Sequence, residues 1–360
     1  MTPSFWRDRK VLITGHTGFK GAWLAAWLLR AGAKVTGLSL APEGPWNLWN
    51  LLGLEDSTTS IIGNICDPQS LENALATKPE IVFHLAAQSL VRRSYRDPVD
   101  TFATNVTGTV ALLHAITKSP SVRSVVVATS DKAYENPEHG RAFVESDPFG
   151  GSDPYSASKG AAEIAVASMR RSFFSPDGTH PAGVASVRAG NVIGGGDWSE
   201  DRLLPDIIRG CLSDRGEVTL RAPASIRPWQ HVLEPLRGYI MLAERLCDDP
   251  TRYADGWNFG PEKSNECDVG TMAEAIVRAL GRGRIVVDAD PKAPKETKVL
   301  RLDASRARSR LGWTPLLDFP ETVEMTARWY ADWHAGRSPA EITGEQVDAY
   351  AHKAMAEGVA

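Results

Sequence analysis

The chain has 360 residues, 42% apolar and 23% charged, the balance of a globular protein able to bury one large core or two modest ones. A formal net charge of -4 leaves no basic surplus to neutralise a nucleic-acid backbone, so no nucleic-acid partner is expected, although a local pocket for one diphosphate remains open. Cys66, Cys211, Cys247 and Cys267 are scattered, with no Cys-x-x-Cys pair and no histidine at ligand spacing, which argues against a disulfide scaffold or a metal centre and fits a reducing compartment.

The first residues, Met1 to Lys10, are polar and charged, unlike a secretory leader, and no apolar run approaches the roughly 20 residues of a membrane span. A soluble cytoplasmic protein with no membrane partner is expected. The first strand, 11–14, runs directly into Gly15-His16-Thr17-Gly18-Phe19-Lys20-Gly21 and then a helix over 21–31. Gly15 permits the tight turn, Gly18 lets backbone approach a pyrophosphate, and Gly21 allows close packing of helix on strand. The helix start adds free N–H groups and a positive dipole end. Three spaced glycines alone would read as an ordinary turn; between a strand and a helix they predict a dinucleotide site.

A second strand, 34–40, leads into Ser39-Leu40-Ala41-Pro42-Glu43, which holds no Arg or Lys. With no cation for an extra ribose phosphate, NAD is expected over NADP. Asn64-Ile65, after the third strand, falls where an adenine would lie, and Asn64 can accept a hydrogen bond from its amine. Strands follow at 81–85, 124–129 and 184–187, with helices at 105–117 and 155–172 between them. Short β-branched runs alternating with helices predict an α/β fold with a doubly wound parallel sheet. From about residue 190 the chain turns irregular, with helices at 202–212 and 272–280, which predicts a smaller mixed α/β substrate-binding domain at the carboxyl edge of the sheet. The expected division is a cofactor domain over 1–189, rejoined by about 228–258, and a second domain over 190–227 and 259–345.

Asp153-Pro154-Tyr155-Ser156-Ala157-Ser158-Lys159 opens a helix, with Asp153 suited to the N-cap and Pro154 to the first turn. Tyr155 and Lys159, four apart, share one helical face. A phenol with an ordinary pKa of about 10 is a poor base, and an adjacent ammonium together with a positive nicotinamide would lower it. Arg227 has the planar fork that suits a diphosphate, and Asn191 can bond a sugar or phosphate oxygen. His16, His84 and His231 are expected to be packing residues, and Trp329 and Trp333, four apart, to be core.

With these motifs the chain resembles the extended short-chain dehydrogenase/reductase family over nearly its whole length. The resemblance implies a Rossmann-type domain in which Ser130, Tyr155 and Lys159 are the catalytic Ser/Thr, Tyr and Lys. It further implies that Gly15, Thr17, Gly18, Phe19, Gly21, Asn64, Ile65, Ala86 and Ala87, with Tyr155 and Lys159, hold NAD. The segment Thr129-Ser130-Asp131-Lys132-Ala133-Tyr134 is similar to the dehydratases of that family, where epimerases usually carry small residues in place of Asp131 and Lys132. His84-Leu85-Ala86-Ala87-Gln88, the run from Arg188 to Trp198 and the run from Arg227 to Pro235 extend the likeness to the branch acting on CDP-glucose. The resemblance therefore implies 4,6-dehydration of a nucleotide sugar, CDP-glucose, with Gln88, Asn191, Leu203, Arg227 and Lys295 at the substrate and a homodimer as the assembly. Asp131 is expected as the acid at C6, and Lys132, in buried cationic surroundings, or a water that it positions, as the base at C5. The chain departs from the pattern at Ala41 and Asn64, where acidic residues are usual, and at Lys295, where Arg or His is usual. Two alternatives stay open on the residues alone: a C4 epimerase that leaves Asp131 and Lys132 idle, and a protein that binds NAD without turnover.

Overall fold

The structure, a computed structural model, describes residues 3–137, 140–175, 177–288 and 300–359. Its centre is a seven-stranded, wholly parallel sheet built from β1 (Lys10–Thr14), β2 (Lys34–Ser39), β3 (Thr59–Ile62), β4 (Ile81–His84), β5 (Ser124–Ala128), β6 (Gly183–Arg188) and β7 (Gly256–Asn258). The strand order is β3-β2-β1-β4-β5-β6-β7. This is the doubly wound arrangement that the sequence predicts, with its topological switch between β1 and β4.

The apolar strands are explained by burial on both faces. Val11 and Ile13 of β1, Ile81 and Phe83 of β4, Val126 of β5, and Ala185 and Val187 of β6 belong to one core. Their alternate neighbours Leu12, Val82, Val125, Val127 and Val184 belong to a second core on the other face. A strand flanked by helices on both sides has no solvated face, so the period-2 alternation divides apolar residues between two cores rather than apolar from polar.

The helix Phe19–Arg30 follows β1 and buries Trp23, Leu24, Trp27 and Leu28. The helix Pro154–Phe173 starts where Asp153 accepts from Ser156 N at 2.9 Å and Pro154 occupies the first turn. The helix expected over 105–117 is regular only over Thr109–Ile116, preceded by a wider turn over Ala103–Gly108.

Beyond β6 the chain forms three two-stranded ladders: Val192–Ile193 with Gln230–His231, Ile226–Pro228 with Glu266–Asp268, and Glu217–Leu220 with Arg284–Val287. The helix Leu233–Asp248 packs on β5 and β6, and β7 then joins the main sheet. The boundary expected at 345 falls inside the helix Pro339–Ala356. That helix packs on the helix Phe19–Arg30: Tyr350 meets Trp27 edge to face at 5.7 Å, and Asp348 pairs with Arg30. The same helix also packs on the helix Phe319–His334, where Trp329 Nε1 donates to Thr343 Oγ1 at 2.9 Å and Gln346 Nε2 to Met325 O at 2.7 Å.

Candidate active site

Because every sheet strand is parallel, the segments leaving β1, β4, β5 and β6 emerge at one edge. The loop after β1 is held by Gly15 N donating to Leu38 O at 2.8 Å and Gly18 N to Gly15 O at 3.1 Å. Gly15 has φ +77°, and a Cβ there would lie 2.7 Å from Ala86 N, so the loop after β4 closes on it directly. A Cβ on Gly21 would overlap the Gly15 carbonyl, but on Gly18 it would meet only Gly15 O, at 3.3 Å. The space above Gly18 is open, and Gly18 caps the helix with no side-chain hydrogen bond. The first-turn N–H groups are therefore offered to a ligand anion, and these residues fit a dinucleotide pyrophosphate.

At the ribose rim, Thr17 Oγ1 meets Ser39 Oγ at 2.8 Å and donates to Leu40 O at 3.1 Å, while Asn47 Nδ2 holds Thr17 O at 3.0 Å. Arg93, distant in sequence, approaches Glu43 to 3.5 Å, so this cation, brought to the rim by the fold, is matched by an acid. At the adenine side Asn64 is exposed, with Oδ1 accepting from Cys66 N at 2.8 Å, and Ile65 is buried beneath it against Gly108.

The side chains expected to react gather at the ends of β5 and β6. Tyr155 and Lys159 are both buried on one face of their helix. Lys159 Nζ donates to Ala128 O at 3.4 Å, and burial, with Lys20 nearby and against the pull of Glu163, lowers its pKa to about 8. In the chain alone, burial raises the pKa of the Tyr155 phenol, and the Ser130 hydroxyl only partly opposes that. In the protein's own field desolvation outweighs the neighbouring cations, so the lowering needs the positive ring of an oxidised nicotinamide.

Ser130 Oγ donates to Asp131 Oδ1 at 2.9 Å, and Lys132 N donates to the same oxygen at 2.9 Å. Asp131 is 6% exposed, and burial raises its pKa despite Lys132, these hydrogen bonds and Lys20. It is therefore suited to carry a proton. Lys132 differs: its side chain is exposed, so the buried cationic surroundings expected for it are not found. The physical reason is the tight turn at Asp131–Ala133, which points consecutive side chains in different directions.

Other expected residues fall variously. Gln88 Nε2 donates to Leu90 O and Thr101 Oγ1, and its Oε1 accepts from Leu90 N, so in the chain alone the amide braces the segment after β4. Asn191 sits at φ +44° beyond β6, with no side-chain hydrogen bond to another described residue. Leu203 opens the helix Leu203–Leu212, whose start carries no side-chain cap. Arg227 is half-buried on its short strand, with one guanidinium nitrogen donating to Ile226 O at 2.8 Å. Lys295 lies outside the described residues.

His16, His84 and His231 are buried. His84 bridges Thr14 and Thr109 at 2.7 and 2.9 Å and is held neutral, its pKa lowered to about 3 by burial. His16 packs edge-on to Trp49, and His231 edge-on to Trp23. Trp329 is fully buried and Trp333 partly so. Among the described residues no cluster of His, Cys, Asp and Glu could hold a metal ion.

Two residues without an assigned role in the sequence reading belong here. Asn105 exchanges hydrogen bonds with the Gln88 backbone at 2.9 and 3.0 Å and donates to Ser158 Oγ at 2.9 Å, locking the loop after β4 to the Tyr155 helix. Lys20, quoted only as part of the glycine loop, is desolvated among Arg202, Asp131 and Asp197, and its pKa falls to about 8. A lysine in a phosphate loop is the signal that could have raised it.

Residues 12–326 match the family described as GDP-mannose 4,6 dehydratase. A CDP-glucose 4,6-dehydratase of Salmonella typhimurium is 44% identical, over 96% of this chain and 97% of that protein. A UDP-glucose 4-epimerase of Thermotoga maritima is similar in structure with TM-score 0.77 and 21% identity, covering 90% of this chain and 99% of the other. A dTDP-glucose 4,6-dehydratase of Streptomyces venezuelae, solved with NAD bound, has TM-score 0.76 and 24% identity over 92% and 99%. At such identities the two structures speak for the fold alone.

Proposed function

Since the chain belongs to the GDP-mannose 4,6-dehydratase family, we infer that it converts CDP-D-glucose into CDP-4-dehydro-6-deoxy-D-glucose and water in the making of a deoxysugar. The enzyme is an NAD-dependent hydro-lyase. The observation that supports the dehydration is Asp131, a carboxyl 6% exposed whose pKa burial raises and whose Oδ1 accepts from Ser130 Oγ at 2.9 Å, at the end of β5 beside the buried Tyr155. A C4 epimerase needs the phenol and has no use for such an acid.

When bound, NAD accepts the C4 hydride and returns it to C6, so none is consumed. Tyr155, steadied by Ser130 and the Lys159 ammonium, takes the proton of the C4 hydroxyl. The resulting 4-ketone acidifies C5–H. Asp131 gives its proton to the departing C6 hydroxyl, while a water oriented by the exposed Lys132 takes the C5 proton, and C5 is later reprotonated from it. The C4 hydroxyl proton and the C6 hydroxyl together account for the water lost. Arg227 and Asn191 are assigned to the diphosphate and sugar, and the start of the helix Leu203–Leu212 to the base. In this assignment the main sheet carries the cofactor, and the ladders beyond β6 carry the nucleotide sugar.

A homodimer is supported by exposed apolar side chains on three mutually packed helices, Val91–Arg96, Pro98–Phe102 and Pro154–Phe173: Tyr95, Val99, Phe102 and Ile164. A cytoplasmic location is consistent with four free cysteines and with no helix, among the described residues, long and apolar enough to cross a membrane.

The test is incubation with CDP-, dTDP-, UDP- and GDP-glucose, with and without added NAD. The expected product is CDP-linked and lighter by one water, with no net NADH. A product of unchanged mass would make the enzyme an epimerase. Asp131→Asn and Lys132→Ala, tested singly, should still form NADH from substrate while water loss collapses; normal dehydration by either would remove that residue from the scheme.

A further inference from the structure

We propose that Gly190 is a positioning residue for the acid, providing by its missing side chain the seat in which the Asp131 carboxyl is held against the reacting sugar. The proposal rests on the assignment of Asp131 as the C6 acid.

The three heavy atoms nearest a Cβ built on Gly190 all belong to Asp131. That carbon would overlap Oδ2 and Cγ and lie 3.1 Å from Oδ1. Gly190 does not have a left-handed φ. Its lack of a side chain therefore answers to space and not to backbone strain. The carboxyl is held from the other side by Ser130 Oγ and Lys132 N, which take Oδ1, and Oδ2 lies on the Gly190 Cα.

The seat is itself fixed. Gln230 Nε2 donates to Gly190 O at 3.1 Å and to Phe259 O at 3.0 Å, tying the turn after β6 to the segment after β7. Gln230 N also donates to Asn191 O at 3.3 Å. The backbone at 190 cannot retreat without breaking these buried bonds. A methyl group there would therefore displace the softer partner, the carboxyl. Burial is also what raises the Asp131 pKa. A carboxyl pushed toward solvent would ionise more readily and stand away from C6, losing both properties an acid needs.

Gly190→Ala, Asp131→Ala and the double variant Asp131→Ala/Gly190→Ala provide the test. Each is mixed with NAD and CDP-glucose in single turnover, with NADH followed by absorbance, product by mass and unfolding by heat. Gly190→Ala should form NADH within a factor of three of the native rate. It should lose water at least tenfold more slowly, and the upper pH limit of water loss should move to lower pH. In the Asp131→Ala background the added methyl should change neither the rates nor the melting temperature, because the space is then free. If Gly190→Ala fails to fold, the double variant should fold as Asp131→Ala does. The proposal is overturned if Gly190→Ala dehydrates at the native rate, or if its defect persists undiminished in the Asp131→Ala background. Normal dehydration by Asp131→Ala would instead refute the acid assignment, leaving the steric coupling between 190 and 131 to be read from the melting temperatures.

Discussion

Glu163→Gln probes the buried charge beneath the catalytic helix. Glu163 and Arg188 are each 2% exposed. Arg188 Nε and Nη2 donate to the two carboxylate oxygens at 2.6 and 2.8 Å, Ser186 Oγ donates at 2.6 Å, and Thr129 Oγ1 adds a fourth bond. The guanidinium is further enclosed by the rings of Tyr134 and Phe149, at 5.2 and 4.9 Å. Removing the negative charge leaves Arg188 buried without a counter-ion, a loss of about 3–5 kcal/mol for such pairs. That is about two to three and a half decades in the folding equilibrium, measurable by urea unfolding. Replacing both partners, as Glu163→Leu/Arg188→Met, should be less damaging than the single change, since no uncompensated charge remains.

A functional consequence accompanies the structural one. Burial pushes the Glu163 carboxyl up, but Arg188 and the hydrogen bonds hold it below the usual range, so its stabilisation is present above about pH 4.5 and is lost only as pH falls through the lowered value. Glu163 also supports the Lys159 ammonium, whose pKa is about 8. Without it Lys159 loses its proton at lower pH, and the alkaline limit of NADH formation should move down. A loss below about 1 kcal/mol together with an unchanged pH profile would refute this reasoning.

Lys20→Met should act in the opposite sense: Lys20 depresses the Lys159 pKa, so its removal should carry the alkaline limit of NADH formation to higher pH in stopped-flow measurements. Asp131→Asn should raise the melting temperature at pH 8 even as it slows water loss. The folded-state pKa of Asp131 is raised, so its contribution to stability is full below about pH 4 and is lost as pH climbs through that raised value. Relieving about 1 kcal/mol of buried charge corresponds, in a chain of 360 residues, to a rise of about 1–2 °C by calorimetry, and the gain should vanish in acid. Ile164→Arg places a charge on an exposed apolar side chain of the Tyr155 helix, 60% exposed in the single chain, and should weaken self-association by about tenfold or more in sedimentation velocity.

Local order was legible wherever it depends on neighbours in sequence. The β-branched runs became β1, β2, β4, β5 and β6 with ends shifted by a residue or two, and Asp153-Pro154 opened the Tyr155 helix. β3 was legible only as a strand ahead of Asn64, without bounds, because Thr59–Ile62 is a largely exposed edge strand, and β7 gave no signal, since Gly256–Asn258 is three residues long and held by its neighbour β6. Glycine spacing, the Tyr-x-x-x-Lys face and the Asp-Lys pair are one-dimensional facts, since each turns on a fixed number of residues along a loop or helix. What surrounds them is not. Only the folded chain brings Lys20 to Asp131 and Lys159, sets Gly190 against the carboxyl, buries Asp131 while leaving Lys132 exposed, and turns the Gln88 amide into its own loop. Desolvation and charge act through space at a few ångströms, and that distance is closed by the fold between segments that spacing along the chain does not relate.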